Sequence, residues 1–291
     1  MIAESGIGPV ALCAVICADI DRSGAAYAAF MGLRVGQRFS LDQGTAEVLG
    51  MPELGGSPAQ ILSNGRGREW LMQVEYAEAV PRDALASYGW MAQEILVEDV
   101  DTLAASLEVK DSPFELLRPP RDLDMSSLIR ACQVRGPDGE ILYLTQVNGE
   151  VPDAQLPQGA QGVDHLFIAV LSTPDSEKSL REYEQLSGNR GVRFDTRISV
   201  VNQHRGWDLE RKHPIATIQL AGRSLIEIDG LADSVAAPPG ICRGTASIVF
   251  RASGEISGGA SVLAEGPLAG HVAVAKQGVA GERYTLLFMP S

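Results

Sequence analysis

Aromatic side chains make up only 5% of the 291 residues, and 24 Lys and Arg face 37 Asp and Glu. A binder of single-stranded nucleic acid stacks bases on successive aromatic rings; Trp70, Trp90 and Trp207 form no such ladder. A net charge of −13 repels phosphate backbones and anionic lipid headgroups, which argues against nucleic-acid and membrane partners. No apolar run approaches the roughly 20 residues of a membrane span. The opening segment lacks the basic start and small-residue cleavage site of a secretory signal. The four cysteines, Cys13, Cys17, Cys132 and Cys242, form no CxxC pair and read as small buried apolar residues. A cytoplasmic, reduced setting is therefore expected. GxSxG, a strand-following GxGxxG, a P-loop and HExxH are all missing, which removes the common hydrolase, dinucleotide, nucleotide and zincin signatures.

What is present is a repeat. An apolar strand at Val10–Cys17 leads into DIDRSGAAYAAFMGL, a helix with Asp19 or Asp21 near its N-cap and Gly32 at its end. Three strands are expected after it, near Arg34–Phe39, Ala59–Leu62 and Trp70–Tyr76. The same order recurs from Trp90–Val97 through the helix EDVDTLAASLE, with strands near Phe114–Leu117, Ile129–Val134 and Ile141–Val147. NGEVPDAQLPQGAQG reads as a linker. A third unit opens at Val163–Val170; its helix TPDSEKSLREYEQLSG has Thr173 as N-cap, Pro174 at the first helical position and Gly188 at the end. Its strands lie near Arg193–Val201, Ile215–Leu220 and Leu225–Ile228. The fourth has strands at Thr245–Arg251, His271–Ala275 and Arg283–Met289, and a helix candidate near Gly258–Leu263.

The expected class is α+β: four βαβββ modules paired into two domains, each a curved mixed sheet with helices on the convex face and a concave cup on the other. The expected domains are 1–150 and 160–291, each made of two consecutive modules. Residues 1–150 carry 22 acidic and 11 basic side chains against 15 and 13 in the remainder, so the acidity sits in the first half.

DIDRSGAAYAAFMGL, EDVDTLAASLE with RGPDGEILYL, and VDHLFIAV with SLIEIDG resemble, in order and spacing, the vicinal oxygen chelate superfamily of glyoxalases, bleomycin-resistance proteins and extradiol dioxygenases. The resemblance implies a small-molecule ligand in a cup and, where a metal is used, ligands on the first and last strands of modules. It also implies that modules can pair between chains, so a homodimer is possible. Strand alternation puts Leu166, Ile168 and Val170 under the helices and His165, Phe167 and Ala169 in the cup; Leu225, Glu227 and Asp229 take the cup side of the later strand. His165 and Glu227 thus fall where the superfamily places ligands. The corresponding positions elsewhere hold Leu12 with Gln73 or Glu75, Ala92 with Tyr143, and Thr245 with Leu286 or Phe288. Units one and two are therefore expected to carry no metal.

Two ligands are too few for a mononuclear site, which takes three or more. The polar insertion VVNQHRGWDLERKH could bring His204, Arg205, Trp207 or His213 over the cup; His271 reads as structural. The expectation is an enzyme of dioxygenase, lyase or isomerase type acting on an oxygenated organic substrate, with His165 and Glu227 as catalytic residues. His165, Glu227 and His204 would be candidate ligands of one divalent ion (Fe, Zn, Mn or Ni), and Phe167, Arg205, Trp207, Asp229 and Thr245 would contact substrate. Without a metal, Glu227 would be a general base partnered by His165. The alternative is a metal-free sequestering protein.

Overall fold

The computed structural model describes residues 6–152, 154–254 and 259–289. Module one comprises β1 (Gly6–Cys17), α1 (Ile20–Met31), β2 (Arg34–Val35), β3 (Phe39–Ser40), α2 (Gln43–Val48), β4 (Pro58–Ser63) and β5 (Glu69–Glu75). Module two has β6 (Gly89–Val97), α3 (Val100–Leu107), β7 (Glu115–Leu123), β8 (Ser126–Arg135) and β9 (Ile141–Val147). Module three has β10 (Val163–Thr173), α4 (Ser176–Ser187), β11 (Val192–Arg197), α5 (Ser199–His204), β12 (Lys212–Gln219) and β13 (Leu225–Gly230). Module four has β14 (Gly244–Ser253), β15 (Ser261–Val262), β16 (Val272–Gln277) and β17 (Arg283–Phe288). Of the expected fourth helix, Gly258 lies outside the described residues, and Ser261–Val262 pair with β16 as a strand.

The three module helices start alike. Asp19, Asp99 and Asp175 accept the backbone N–H of Arg22, Thr102 and Lys178, each cap contributing about 1 kcal/mol. In α4 the cap is Asp175 and not Thr173, because β10 runs on through Thr173, whose hydroxyl accepts the Asp175 N–H. Gly32 and Gly188 close α1 and α4 in the left-handed conformation.

Two mixed sheets result, and their composition differs from the expected pairing of consecutive modules. One runs β15-β16-β17-β14-β1-β5-β4-β2, joining modules four and one; the other runs β11-β12-β13-β10-β6-β9-β8-β7, joining three and two. The joints are antiparallel pairs of first strands, β1 with β14 and β10 with β6. The connections 76–88, 148–162 and 231–243 are of similar length, so chain reach does not favour neighbours. Pro119 and Pro120 are tolerated within β7 because it is the outermost strand.

A single core lies on the helix side of both sheets, with Trp90, Tyr183, Phe250 and Tyr284 at mutual ring distances of 5.6–6.3 Å. Two duplicated contacts cross from helix to following module. Tyr27 of α1 donates to Glu140 at 2.6 Å, and Tyr183 of α4 donates to Glu282 at 2.9 Å. Each glutamate ends a Gly-x-x-Gly-Glu turn, and its other oxygen accepts the N–H of Asp138 or Ala280. Gly139 and Gly281 hold φ of 87° and 79°, which disfavours other residues. A Cβ on Gly136 or Gly278 would meet the inward glutamate at 2.1 Å. The carboxyls are buried, which lifts both from 4.5 to about 7. Tyr27→Phe and Tyr183→Phe each remove the donor from a buried carboxylate. Each is expected to lower stability by about 1–3 kcal/mol at neutral pH in urea unfolding, and by less near pH 5, where the carboxyl holds its own proton.

Candidate functional site

The two cups differ. In the sheet of modules one and four, the segment between β3 and β4 folds back as α2. Leu41, Leu49, Met51 and Leu54 are wholly buried with Leu12, Ile16 and Met72 from the strands. That cup is filled by its own chain.

The cup of modules two and three holds a small cleft of about 100 Å³, opening through a mouth that brings the empty space to about 700 Å³. Ile198, Val200 and Ile215 supply apolar walls, and Arg121, Asp124, Met125 and Arg197 stand around it. Arg197 is committed to Asp124 and Glu210, a link between the β7–β8 turn and β11. The cleft's inner polar side chains come from three central strands, β6, β9 and β13. Glu94 of β6 sits beside Tyr143 of β9, and Ile168 of β10 sits beside Glu94; Glu227 of β13 is paired with Val170.

Glu94, Tyr143 and Glu227 line the cleft, and Asp229 is buried close to Glu227. Glu94 accepts a hydrogen bond from the Thr145 hydroxyl at 2.9 Å. Burial is the main force raising its carboxyl well above the ordinary range, and the charge of Glu227 adds to it. Burial also raises Glu227; a hydrogen bond from Asp229 acts the other way. Asp229 is driven highest, by burial first and then by Glu227, so the proton between them resides on Asp229. Among the described residues the Tyr143 hydroxyl has no hydrogen-bond partner, and the Asp229 oxygens have none beyond the contact with Glu227. Among the described residues, no arginine, lysine or histidine is bonded to any of these carboxyls.

The expected site residues are dispersed. Glu227 and Asp229 take the cup side as read. His165 does not join them: Val170 pairs with Glu227, and His165 lies five residues earlier on β10, about 16 Å along an extended strand. Its Nδ1 is 2.9 Å from Asp164, whose carboxylate also accepts from Asn64, and burial lowers the imidazole's affinity for a proton. The alternation fails because the register shifts between Leu166 and Ile168. Consequently Phe167, Ile168 and Val170 pack on the cup side, and Leu166, Ala169 and Leu171 on the helix side. Phe167 is fully buried in the cup-side core and does not line the cleft.

The insertion from Val200 to His213 forms α5 and the turn after it. His204 contacts Asp83 at 2.7 Å, and Arg205 donates to the Leu85 carbonyl and the Ser234 hydroxyl. Trp207 stacks between Arg211 and Arg205 at 3.8 and 4.9 Å, beside His213, which meets Asn202. None of these four lines the cleft, whose walls from this segment are Ile198, Ser199 and Val200. Thr245 belongs to the other sheet and accepts from Gln93 at the seam between the two. Glu94 went unnamed in the sequence because Ala92 was read at its position. The signal was there: Gln93 and Glu94 are the only polar side chains of a strand buried along its whole length.

The donor set does not fit a resident metal ion. At the four inner positions stand two carboxyls, a phenol held neutral by burial, and a hydrocarbon, Ile168 or Val170, where β10 would supply a ligand. Among the described residues, no three His, Cys, Asp or Glu side chains are placed to hold a metal. Among the described residues no helix is long and apolar enough to cross a membrane.

No known protein family and no curated protein matches the chain in sequence. Solved structures do match. Glyoxalase I from Zea mays superposes with a TM-score of 0.63 at 14% identity, over 96% of this chain and 92% of that one. A candidate dioxygenase from Bacillus subtilis gives 0.61 at 14% identity, over 99% and 87%. At such identities the likeness is one of fold.

Proposed function

We propose that this chain, which has the fold of the vicinal oxygen chelate proteins, is a small-molecule enzyme whose chemistry is proton transfer by its own carboxyls in the cup of modules two and three. The observation that carries this reading is the buried group of Glu94, Glu227 and Asp229 at a cleft lined also by Tyr143, whose hydroxyl is buried and unpartnered among the described residues. Carboxyls raised toward neutrality hold or release a proton at working pH, which an acid–base catalyst needs.

In this reading the substrate is oxygenated and carries an acidic C–H beside a carbonyl. Glu227 takes the proton as its carboxylate, and the C–H electron pair becomes the enolate. Tyr143 donates to the enolate oxygen. With an α-hydroxy carbonyl substrate, Glu94, protonated beside Glu227, can give a proton to the former carbonyl carbon while the α-hydroxyl proton passes to the enolate oxygen and the new carbonyl forms at the α-carbon, giving isomerisation. The apolar walls exclude water and so strengthen these contacts. His165 and His204 have no part in this scheme.

A second reading, sequestration without turnover, is favoured by those same apolar walls and the absence of an imidazole from the cleft. Proton NMR in D2O separates the two. Incubated with a panel of α-hydroxy ketones, α-hydroxy aldehydes and α-amino ketones, the protein is expected to replace carbon-bound hydrogen with deuterium. Glu227→Gln is expected to slow that exchange at least about a hundredfold, the usual contribution of a general base. Exchange with no panel member, or exchange unaffected in the variant, would sink the catalytic reading.

A further inference from the structure

We infer that the ligand of the module two and three cup carries a protonated nitrogen, seated between Glu94 and Glu227, with an oxygen within reach of the Tyr143 hydroxyl. The inference rests on the reading of that cup as the ligand site, and it concerns binding and not turnover.

Three carboxyls share this cup, and the fold gives them no cation. Glu94 accepts only from a neutral hydroxyl, that of Thr145. Asp229, fully buried, has neither a cation nor a backbone N–H on its carboxyl oxygens. The guanidinium groups that line the cleft, Arg121 and Arg197, pair with Asp124, and Arg197 also with Glu210. Two other buried acids, Glu140 and Glu282, each receive a tyrosine hydroxyl and a backbone N–H. Glu94 and Glu227, by contrast, border open space, with only the Thr145 hydroxyl and the Asp229 carboxyl as partners among the described residues.

An independent observation points the same way. Tyr143 is 8% exposed and lines the cleft, yet its hydroxyl bonds to nothing in the protein. Buried hydroxyls are ordinarily bonded, so an orphan bordering a cleft marks a place for a ligand atom. An ammonium offers three donors and a positive charge to the carboxyls, and a nearby oxygen accepts from Tyr143. Vicinal amino-alcohol or amino-carbonyl compounds combine the two. A neutral polyol meets the hydrogen bonds but leaves the charge uncompensated in a cup walled by hydrocarbon, where charge pairing counts most.

The test uses the intact protein and probe pairs differing only in nitrogen against oxygen: D-glucosamine with D-glucose, and phenethylamine with 2-phenylethanol. Affinities are read by thermal shift and calorimetry at slightly alkaline pH and high salt, which screens the general acidity of the surface. At least one amine is expected to bind about tenfold or more tightly than its alcohol, about 1.4 kcal/mol. That preference is expected to vanish in both Glu94→Gln and Glu227→Gln, which keep side-chain shape. Equal affinities, an alcohol binding better, no binding by either amine, or a preference surviving both substitutions would each overturn the inference. The wild-type comparison alone decides if a variant fails to fold. Amine preference without hydrogen exchange removes catalysis and keeps the charge assignment; exchange without amine preference does the reverse.

Discussion

Residues 1–150, produced alone, are expected not to give a folded monomer, although they contain two complete modules. In the whole chain β1 is paired from Gly6 to Ile16 with β14, and β6 is paired from Gly89 to Val97 with β10. Both partners lie beyond residue 150. The fragment would therefore expose two central strand edges, each a template for association with other chains. It would also lose its share of the common core, in which Trp90 packs on Tyr183 and Phe250. Size-exclusion chromatography and amide NMR are expected to show association or an unfolded chain. Mixing with residues 160–291 is expected to restore the native spectrum, since all four modules are then present. A monomeric 1–150 fragment with dispersed amide signals would show that consecutive modules form independent domains after all.

The order of elements was legible because alternation and capping act locally. Ile141–Val147 is a strand as read, and Gly32 and Gly188 end their helices as read. What joins to what was not legible. First strands such as β1 and β10 are apolar on both faces, so periodicity names no partner, and three connections of similar length permit more than one pairing. The site was half legible for the same reason. Alternation placed Glu227 and Asp229 correctly because β13 is regular. It misplaced His165 because β10 shifts register between Leu166 and Ile168, which no pattern of residue types announces. Once modules two and three share a sheet, Glu94 faces the same cup as Glu227, a meeting that requires knowing the pairing. The helices α2 and α5 were read as loop or strand, each being only six residues long. That omission hid why one cup is filled and the other open.

The melting temperature is expected to fall as pH rises from about 5 to about 8, by about 10 °C, given some 2–4 °C per kcal/mol for a chain of this size. Glu140 and Glu282 are each raised by burial from 4.5 to about 7. A carboxyl whose folded value exceeds its unfolded one binds more protons in the native state across the interval between them, so stability declines with pH there. The contribution is fully present below 4.5, is lost progressively up to about 7, and changes no further above that. At 1.36 kcal/mol per unit, each glutamate accounts for on the order of 3 kcal/mol. Glu94, Asp138, Glu227 and Asp229 are raised as well and act in the same direction. His165 and His213, both lowered by burial, oppose them between their folded values and 6.5, where the unfolded chain holds more protons. The acids lowered by arginine or backbone partners, such as Asp101 and Asp124, lose their contribution only in more acidic solution. Six raised carboxyls against two lowered imidazoles leave the decline dominant. Glu140→Gln with Glu282→Gln keeps an acceptor for each tyrosine and removes their titration, so the slope should flatten by about a third while the value near pH 5 changes little. Calorimetry across this range decides the matter: a melting temperature that is level or rising toward pH 8 in the unaltered protein would mean that these carboxyls do not carry their protons in the folded state.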